Sequence, residues 1–387
     1  MISAPLQEIL IAQIEKTPAR RLTFAEYMTL ALYHQEYGYY NSDAIKIGKK
    51  GDFFTSSSLG EDFGQLLAVQ FQQMWRNLGC PDPFYLVEMG AGNGELAGDI
   101  LNYIQQQDDS LSKALRYIII ERSPALITLQ QQRLKSFTTI NLVWQTLSDI
   151  ANNDIVGCFF SNELVDAFPV HIVTKARNRL EEVYVSLDRG QLTETTDSLS
   201  SDKLSQYFDF IGIDLLDKQY PSNYRTEVNL EALDWLKEVA TKLKRGYVLT
   251  IDYGYPADKY YRPSRDRGTL QCYFQHRRHH NPYANLGYQD ITAHVDFTAL
   301  EHQGKLCQLE ILGFTQQGLF LMALGLGDRL NALSNGKYDI NQIFQRRDAL
   351  HQLIDPTGLG NFGVLIQGKN LTTSEQSLTG LTMPSMF

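Results

Sequence analysis

Cysteine is scarce in this chain of 387 residues: Cys80, Cys158, Cys272 and Cys307 lie far apart and form no C-x-x-C pair. Such usage suits buried free thiols in a reducing compartment, and it neither requires nor excludes a disulfide. Long apolar runs are missing too. The nearest, at residues 319–326, falls far short of the roughly 20 apolar residues of a membrane helix, so no membrane span is expected. Positive charge is in deficit, with 35 Lys and Arg against 44 Asp and Glu and a formal net charge of −9. A nucleic-acid duplex needs a basic face, so no nucleic-acid partner is expected, whereas a basic substrate is tolerated. There is no internal repeat and no low-complexity tract. Residues 1–10 have no basic start, no long apolar core and no Arg/Ser-rich transit composition, which points to the cytoplasm.

What is present is an ordinary globular composition, 43% hydrophobic and 20% charged, long enough for one large domain with insertions or for two domains. The rest of the chain can be read around Phe84-Tyr-Leu-Val-Glu-Met-Gly-Ala-Gly-Asn-Gly-Glu-Leu-Ala. A short apolar strand ends in Glu88 and three alternate glycines, Gly90, Gly92 and Gly94, and a helical pattern follows at once. Strand, glycine turn and helix N-terminus let a ligand approach the backbone closely, as a nucleotide-like cofactor requires.

The glycines alone leave the cofactor open, because the frame Gly92-x-Gly94-x-x-Ala97 also satisfies a dinucleotide fingerprint. Glu88 shifts the balance. It would crowd a pyrophosphate with like charge, yet it can neutralise a cationic amino-acid moiety. E-x-G-x-G-x-G resembles the first motif of S-adenosylmethionine-dependent methyltransferases. The next strand, Arg116-Tyr-Ile-Ile-Ile-Glu121, ends in a carboxylate 27 residues after Gly94, where such a layout places the group that holds ribose hydroxyls.

Along the chain, residues 5–17 and 23–34 have apolar residues at helical spacing, with Thr23 and Glu26 as a capping box. Strand and helix then alternate: strands at 85–87, 116–121, 142–144, 157–161 and 244–255 predict a parallel doubly wound sheet. Residues 170–187 read as antiparallel strands and 188–202 as a polar stretch. A late strand at 363–367 can pair beside the fifth. Ligands of such sheets bind at strand C-termini, which is where Glu88, Glu121 and the segment Asn162 to Pro169 fall.

The segment from Arg265 to Phe297 is crowded with arginine, tyrosine and histidine. A metal site at His276, His279, His280 and His294 is disfavoured, because adjacent histidines diverge and no carboxylate or cysteine sits at ligand spacing, so no metal is expected. These polar aromatics, with Asp296, fit the lining of a substrate cleft better.

Four segments together resemble the MidA-like family, methyltransferases associated with assembly of the respiratory NADH dehydrogenase. They are Gly51-Asp-Phe-Phe-Thr-Ser, Glu88-Met-Gly-Ala-Gly-Asn-Gly, Ser161-Asn-Glu-Leu-Val-Asp-Ala-Phe-Pro-Val-His171, and Asp290-Ile-Thr-Ala-His-Val-Asp-Phe297 with the Arg-Gly-Thr-Leu and His-rich run before it. The similarity spans residues 22–325. The glycine motif is generic to methyltransferases and the last two segments are specific. Asn93 departs from a basic residue common in the family, and Arg277-Arg278 break the histidine run.

The resemblance implies a Rossmann-like class I methyltransferase fold: a seven-stranded, mostly parallel doubly wound sheet with an N-terminal helical cap and α+β insertions. It implies S-adenosyl-L-methionine as cofactor, with Thr55 beside the glycine loop as a further contact, and methylation of an arginine in a subunit of an NADH-dehydrogenase-type complex. The expected layout is a cap over 1–58, a methyltransferase domain over 59–370 with insertions at about 173–225 and 260–305, and a mobile tail over 371–387.

The chemistry of the residues is compatible. A guanidinium is protonated and delocalised, a poor nucleophile unless carboxylates pair with it and orient one nitrogen. Glu163 and Asp166, three apart at a strand C-terminus, are candidates for that role, and Asn162 or His171 for orienting the partners. A small-molecule O- or N-methyltransferase and a non-catalytic assembly factor retaining the cofactor fold remain alternatives, with an NAD enzyme further behind because of Glu88.

Overall fold

The computed structural model describes residues 3–41, 56–275, 277–333 and 339–383. The chain divides into two compact units. One is built from residues 1–46, 165–236 and 254–303, the other from 47–164, 237–253 and 304–387.

The second unit holds a seven-stranded sheet. In chain order its strands are β1 (Phe84–Met89), β2 (Leu115–Ile120), β3 (Asn141–Gln145), β4 (Ile155–Asn162), β5 (Leu243–Asp252), β6 (Glu310–Gln316) and β7 (Gly363–Lys369). Their order across the sheet is β6-β7-β5-β4-β1-β2-β3. The pairs β1–β2, β2–β3, β1–β4 and β4–β5 are parallel, and β7 runs antiparallel to both β5 and β6. The sheet is thus mixed and mostly parallel, and the order reverses at β1, between β2 and β4.

Strands rich in Val, Ile and Phe fit here because both faces are covered. The helix Asp62–Asn77 buries Phe63, Leu66, Leu67, Phe71 and Met74, and the helix Glu95–Gln107 buries Leu96, Ala97, Ile100, Leu101 and Ile104. Both stripes join Leu86, Tyr117, Ile119, Phe160 and Leu249 in one core. Central strands approach closely near their starts. A Cβ on Gly157 would lie 1.9 Å from Tyr85 O, and one on Gly246 the same distance from Gly157 O, so only glycine fits at these two positions.

In the first unit, a five-stranded antiparallel sheet comprises Arg21–Thr23, Arg179–Asp188, His171–Ala176 and Arg225–Val228 in that order, with Gln191–Asp197 also pairing Arg179–Asp188. The helices Ala4–Lys16 and Phe24–Tyr33 bury Leu6, Leu10, Ile14, Phe24, Tyr27 and Met28 against Val170, Ile172, Val183 and Val185. The capping box of Thr23 and Glu26 opens the second helix as expected. A second cluster gathers Leu204, Tyr207, Phe208, Tyr224, Tyr260 and Tyr261.

Two expectations are corrected here. The polar stretch 188–202 contains the strand Gln191–Asp197, whose side chains are largely exposed, so apolar alternation could not announce it. Residues 371–383, read as mobile from their Ser and Thr content, are held in place. Glu375 pairs with Arg245, its carbonyl accepts from Tyr247 Oη at 2.7 Å, and Gly380 N donates to Gln70 Oε1 at 2.9 Å.

None of the four cysteines forms a disulfide. Among the described residues, no helix is long and apolar enough to cross a membrane.

Candidate active site

The glycine loop begins where β1 ends. Gly90, Gly92 and Gly94 have φ of 73°, 53° and 79°, a left-handed backbone that glycine adopts at little cost. Gly94 is the N-cap of the helix Glu95–Gln107, and buried Asn93 accepts from Glu95 N through Oδ1 at 3.0 Å. A Cβ on Gly90 would come within 2.7 Å of Leu164 Cδ1, so the turn lies tight against the end of β4. Leu164 is fixed in turn, its amide donating to the buried Asp252 at the end of β5, 3.2 Å away.

Glu88 is buried and turned toward β2, where Tyr117 Oη donates to its Oε2 at 2.8 Å. Burial pushes the Glu88 carboxyl up to about 7, against the pull of the Tyr117 hydroxyl.

Glu121, just past β2, accepts at Oε1 from Arg122 N at 2.8 Å and Ser123 N at 3.0 Å. Its Oε2 accepts from Gln130 Nε2 at 3.2 Å. Burial raises this carboxyl, while those donors pull it back. Ser123 caps the next helix, Pro124–Leu134, by accepting from Leu126 N. Gln130 on that helix also donates to Gly92 O at 2.8 Å. Loop and carboxylate are thus joined through one amide.

At the end of β4, Asn162 Nδ2 donates to Glu163 Oε1 at 3.1 Å, and Ser56 N donates to the same oxygen at 3.2 Å. Glu163 has φ of 53°. A non-glycine residue in this region costs free energy, and such residues cluster at functional sites.

Glu163 and Asp166 fall in different units, the chain passing from one to the other between Leu164 and Val165. Asp166 is buried, and its carbonyl accepts from Ala293 N at 2.9 Å. In the same unit His171 Nδ1 lies 2.7 Å from Oε1 of the buried Glu182. Burial would raise Glu182, but hydrogen bonds from His171 and Ser200 outweigh it and hold the carboxyl below its ordinary range.

The candidates for substrate contact divide further. Asp296 is buried, accepting from Tyr207 Oη at 3.0 Å and from Ala299 N at 3.2 Å. Burial raises it to about 6 although Tyr207 and the backbone amides oppose this. His294 lies 3.3 Å from Gln271 Nε2, and burial, with Arg265 and Arg278 nearby, pushes its imidazole down to about 3. His280 is exposed, with Nδ1 3.2 Å from Leu270 O. Thr55 and His276 lie outside the described residues. Among the described residues no three His, Cys, Asp or Glu are grouped so as to hold a metal ion.

Gln130, Tyr117 and Glu182 were not singled out from the sequence. Gln130 alone had a signal there: a polar residue in the middle of the i, i+4, i+8 stripe Leu126, Gln130, Leu134, all three buried.

The sheet order reverses beside the glycine loop, the position at which open α/β sheets bind ligands. Left-handed glycines, a helix N-terminus and a partly exposed strand-end carboxylate suit an adenosyl amino acid: amides for its carboxylate and Glu121 for its ribose. This combination defines a nucleoside-cofactor enzyme of the methyltransferase type. The chain belongs to the family described as "Putative S-adenosyl-L-methionine-dependent methyltransferase", whose pattern matches residues 66–315. It is an S-adenosyl-L-methionine-dependent methyltransferase.

Among solved structures, a protein from Burkholderia thailandensis bound to S-adenosyl-homocysteine superposes with a TM-score of 0.85 at 29% identity, covering 97% of this chain and 95% of that one. Among curated relatives, the Drosophila melanogaster "Protein arginine methyltransferase NDUFAF7 homolog, mitochondrial" is 29% identical, covering 87% of this chain and 78% of its own. The Homo sapiens "Protein arginine methyltransferase NDUFAF7, mitochondrial" is 28% identical, covering 95% and 84%. These names overturn the cytoplasmic expectation. That expectation rested on the composition of residues 1–10, which did not discriminate between compartments.

Proposed function

We propose that the chain is a protein-arginine N-methyltransferase acting on a subunit of an NADH-dehydrogenase-type complex during its assembly. The sheet order β3-β2-β1-β4-β5-β7-β6 supports reading its core as the class I variant of the fold. The observation that carries the proposal is Glu163: a carboxylate held at a strand C-terminus in a left-handed backbone, with Oε1 accepting from Ser56 N and Asn162 Nδ2. Two donors on that oxygen orient the carboxylate, as pairing with a guanidinium requires.

The cofactor supplies an electrophilic methyl group on a sulfonium. The protein's part is alignment and exclusion of water, which in favourable cases supplies roughly 7–11 kcal/mol. Glu163 would concentrate the positive charge away from the attacking nitrogen and hold the proton that this nitrogen gives up as the methyl group leaves the sulfonium, whose sulfur departs as a thioether. The names of the relatives and the resemblance of segment 161–171 support arginine as the acceptor.

The test is incubation of the full chain with isotope-labelled S-adenosylmethionine and the soluble subunits of an NADH-dehydrogenase-type complex, followed by fragmentation mass spectrometry. Label on an arginine side chain is expected. Label confined to small molecules, or to lysine, would overturn the proposal.

A further inference from the structure

The geometry points to Gln130 as the positioning residue that locks the glycine loop and the ribose-binding carboxylate into one cofactor-ready arrangement. The inference rests on the reading that this loop and Glu121 hold the cofactor. It adds a residue that touches neither strand end by sequence and need not touch the ligand.

Gln130 is fully buried, and both N–H donors and the carbonyl oxygen of its amide are engaged. One Nε2 proton goes to Gly92 O at 2.8 Å, the other to Glu121 Oε2 at 3.2 Å, and Oε1 accepts from Trp144 Nε1 at 2.9 Å. The indole can only donate, and the carbonyl and carboxylate oxygens face the amide as acceptors. One orientation of the amide satisfies all three, so the network is directional. The partners come from the loops after β1 and β2 and from β3. Gly94 packs on the same side chain, since a Cβ there would lie 3.4 Å from Gln130 Cγ.

The consequence concerns specificity. Glu121 Oε1 is held by two backbone amides, and the Gln130 bond to Oε2 sets the rotation of the carboxylate. That rotation decides where the acceptor site left on Oε2 meets a ribose hydroxyl. The bond to Gly92 O fixes the loop on which the remainder of the cofactor rests. A residue that only filled space would support every adenosyl ligand equally. A residue that sets the carboxylate's rotation supports those with ribose hydroxyls most.

The experiment is isothermal titration of S-adenosylhomocysteine, and of its analogue lacking both ribose hydroxyls, into full-length wild type, Gln130→Met and Gln130→Glu. Gln130→Glu keeps an acceptor for Trp144 but loses the amide donors and sets a like charge beside Glu121. Wild type should prefer the natural product. Both variants should lose affinity for it on the order of tenfold, the loss expected from breaking a hydrogen bond to a charged group, and lose much less for the analogue. The preference ratio therefore collapses. Partial unfolding of a variant lowers the number of sites titrated and leaves the ratio intact. Equal losses for both ligands, a Gln130→Glu variant that binds like wild type, or unchanged binding by Gln130→Met would overturn the inference. Failure of wild type to bind either ligand would instead remove the cofactor reading on which it rests.

Discussion

Tyr117 and Glu88 face one another across β2 and β1, phenol to carboxylate at 2.8 Å, and both are buried in the sheet. With burial holding the Glu88 carboxyl near 7 despite the Tyr117 bond, the folded chain keeps a proton that the unfolded chain releases around the ordinary glutamate value. The stability this contributes is fully present below that value and is lost as pH rises through about 7. Thermal denaturation of the ligand-free protein should therefore show a steeper loss of stability between about pH 5 and 8 in wild type than in Glu88→Gln. A variant that follows the wild-type curve would refute the burial argument. On the reading of the motif in which Glu88 faces a cationic group of the cofactor, its ionised form favours binding, so cofactor affinity should also climb over the same range, and less so in the variant.

Glu182 behaves in the opposite sense. Its carboxyl is held below the ordinary range, because His171 and Ser200 outweigh the effect of burial. The stabilisation is present above the unfolded value and is lost as pH falls through the folded one. Glu182→Ala leaves the donors of His171 and Ser200 without their acceptor. A cost of about 2–4 kcal/mol follows, read by denaturant titration near neutral pH. A change under about 0.5 kcal/mol, the ordinary surface range, would contradict the assignment.

The C-terminal segment is structural. Removing residues 371–387 takes away the Arg245 pairing, the acceptor of Tyr247 Oη and the contact of Gly380 with Gln70. Gly380 lies so close to Phe320 that a Cβ there would fall 2.2 Å from Cε2. Both the truncation and Gly380→Val should lower the melting temperature by several degrees or more. A truncated chain as stable as the full one would show the segment to be dispensable.

Which features could be read from the chain follows from what each residue must bury. Strands β1, β2, β4 and β5 sit between covered faces and carry continuous apolar runs, so periodicity found them together with the acids at their ends. The strand Gln191–Asp197 has a single apolar residue, Leu192, and presented no such signal. Glu182 looks like a surface acid in an alternating strand, and only the fold reveals that His171, Ser200 and Tyr184 converge on it. Likewise Gln130 has meaning through Gly92, Glu121 and Trp144, which lie 38, 9 and 14 residues away. Glu163 and Asp166, three apart in the motif, belong to different units, a division that spacing in sequence does not contain.

The most direct measurement is single-turnover methyl transfer by Glu163→Gln beside wild type, with cofactor affinity determined on the same samples. Glutamine keeps the size of the side chain and removes the charge proposed to pair with the guanidinium. Unchanged S-adenosylhomocysteine binding and a fall in the transfer rate of about 10²–10⁴, the range for losing a positioned proton acceptor, are expected. Transfer within a few-fold of wild type, with cofactor bound, would contradict the role given to Glu163 and with it the proposed chemistry of the site.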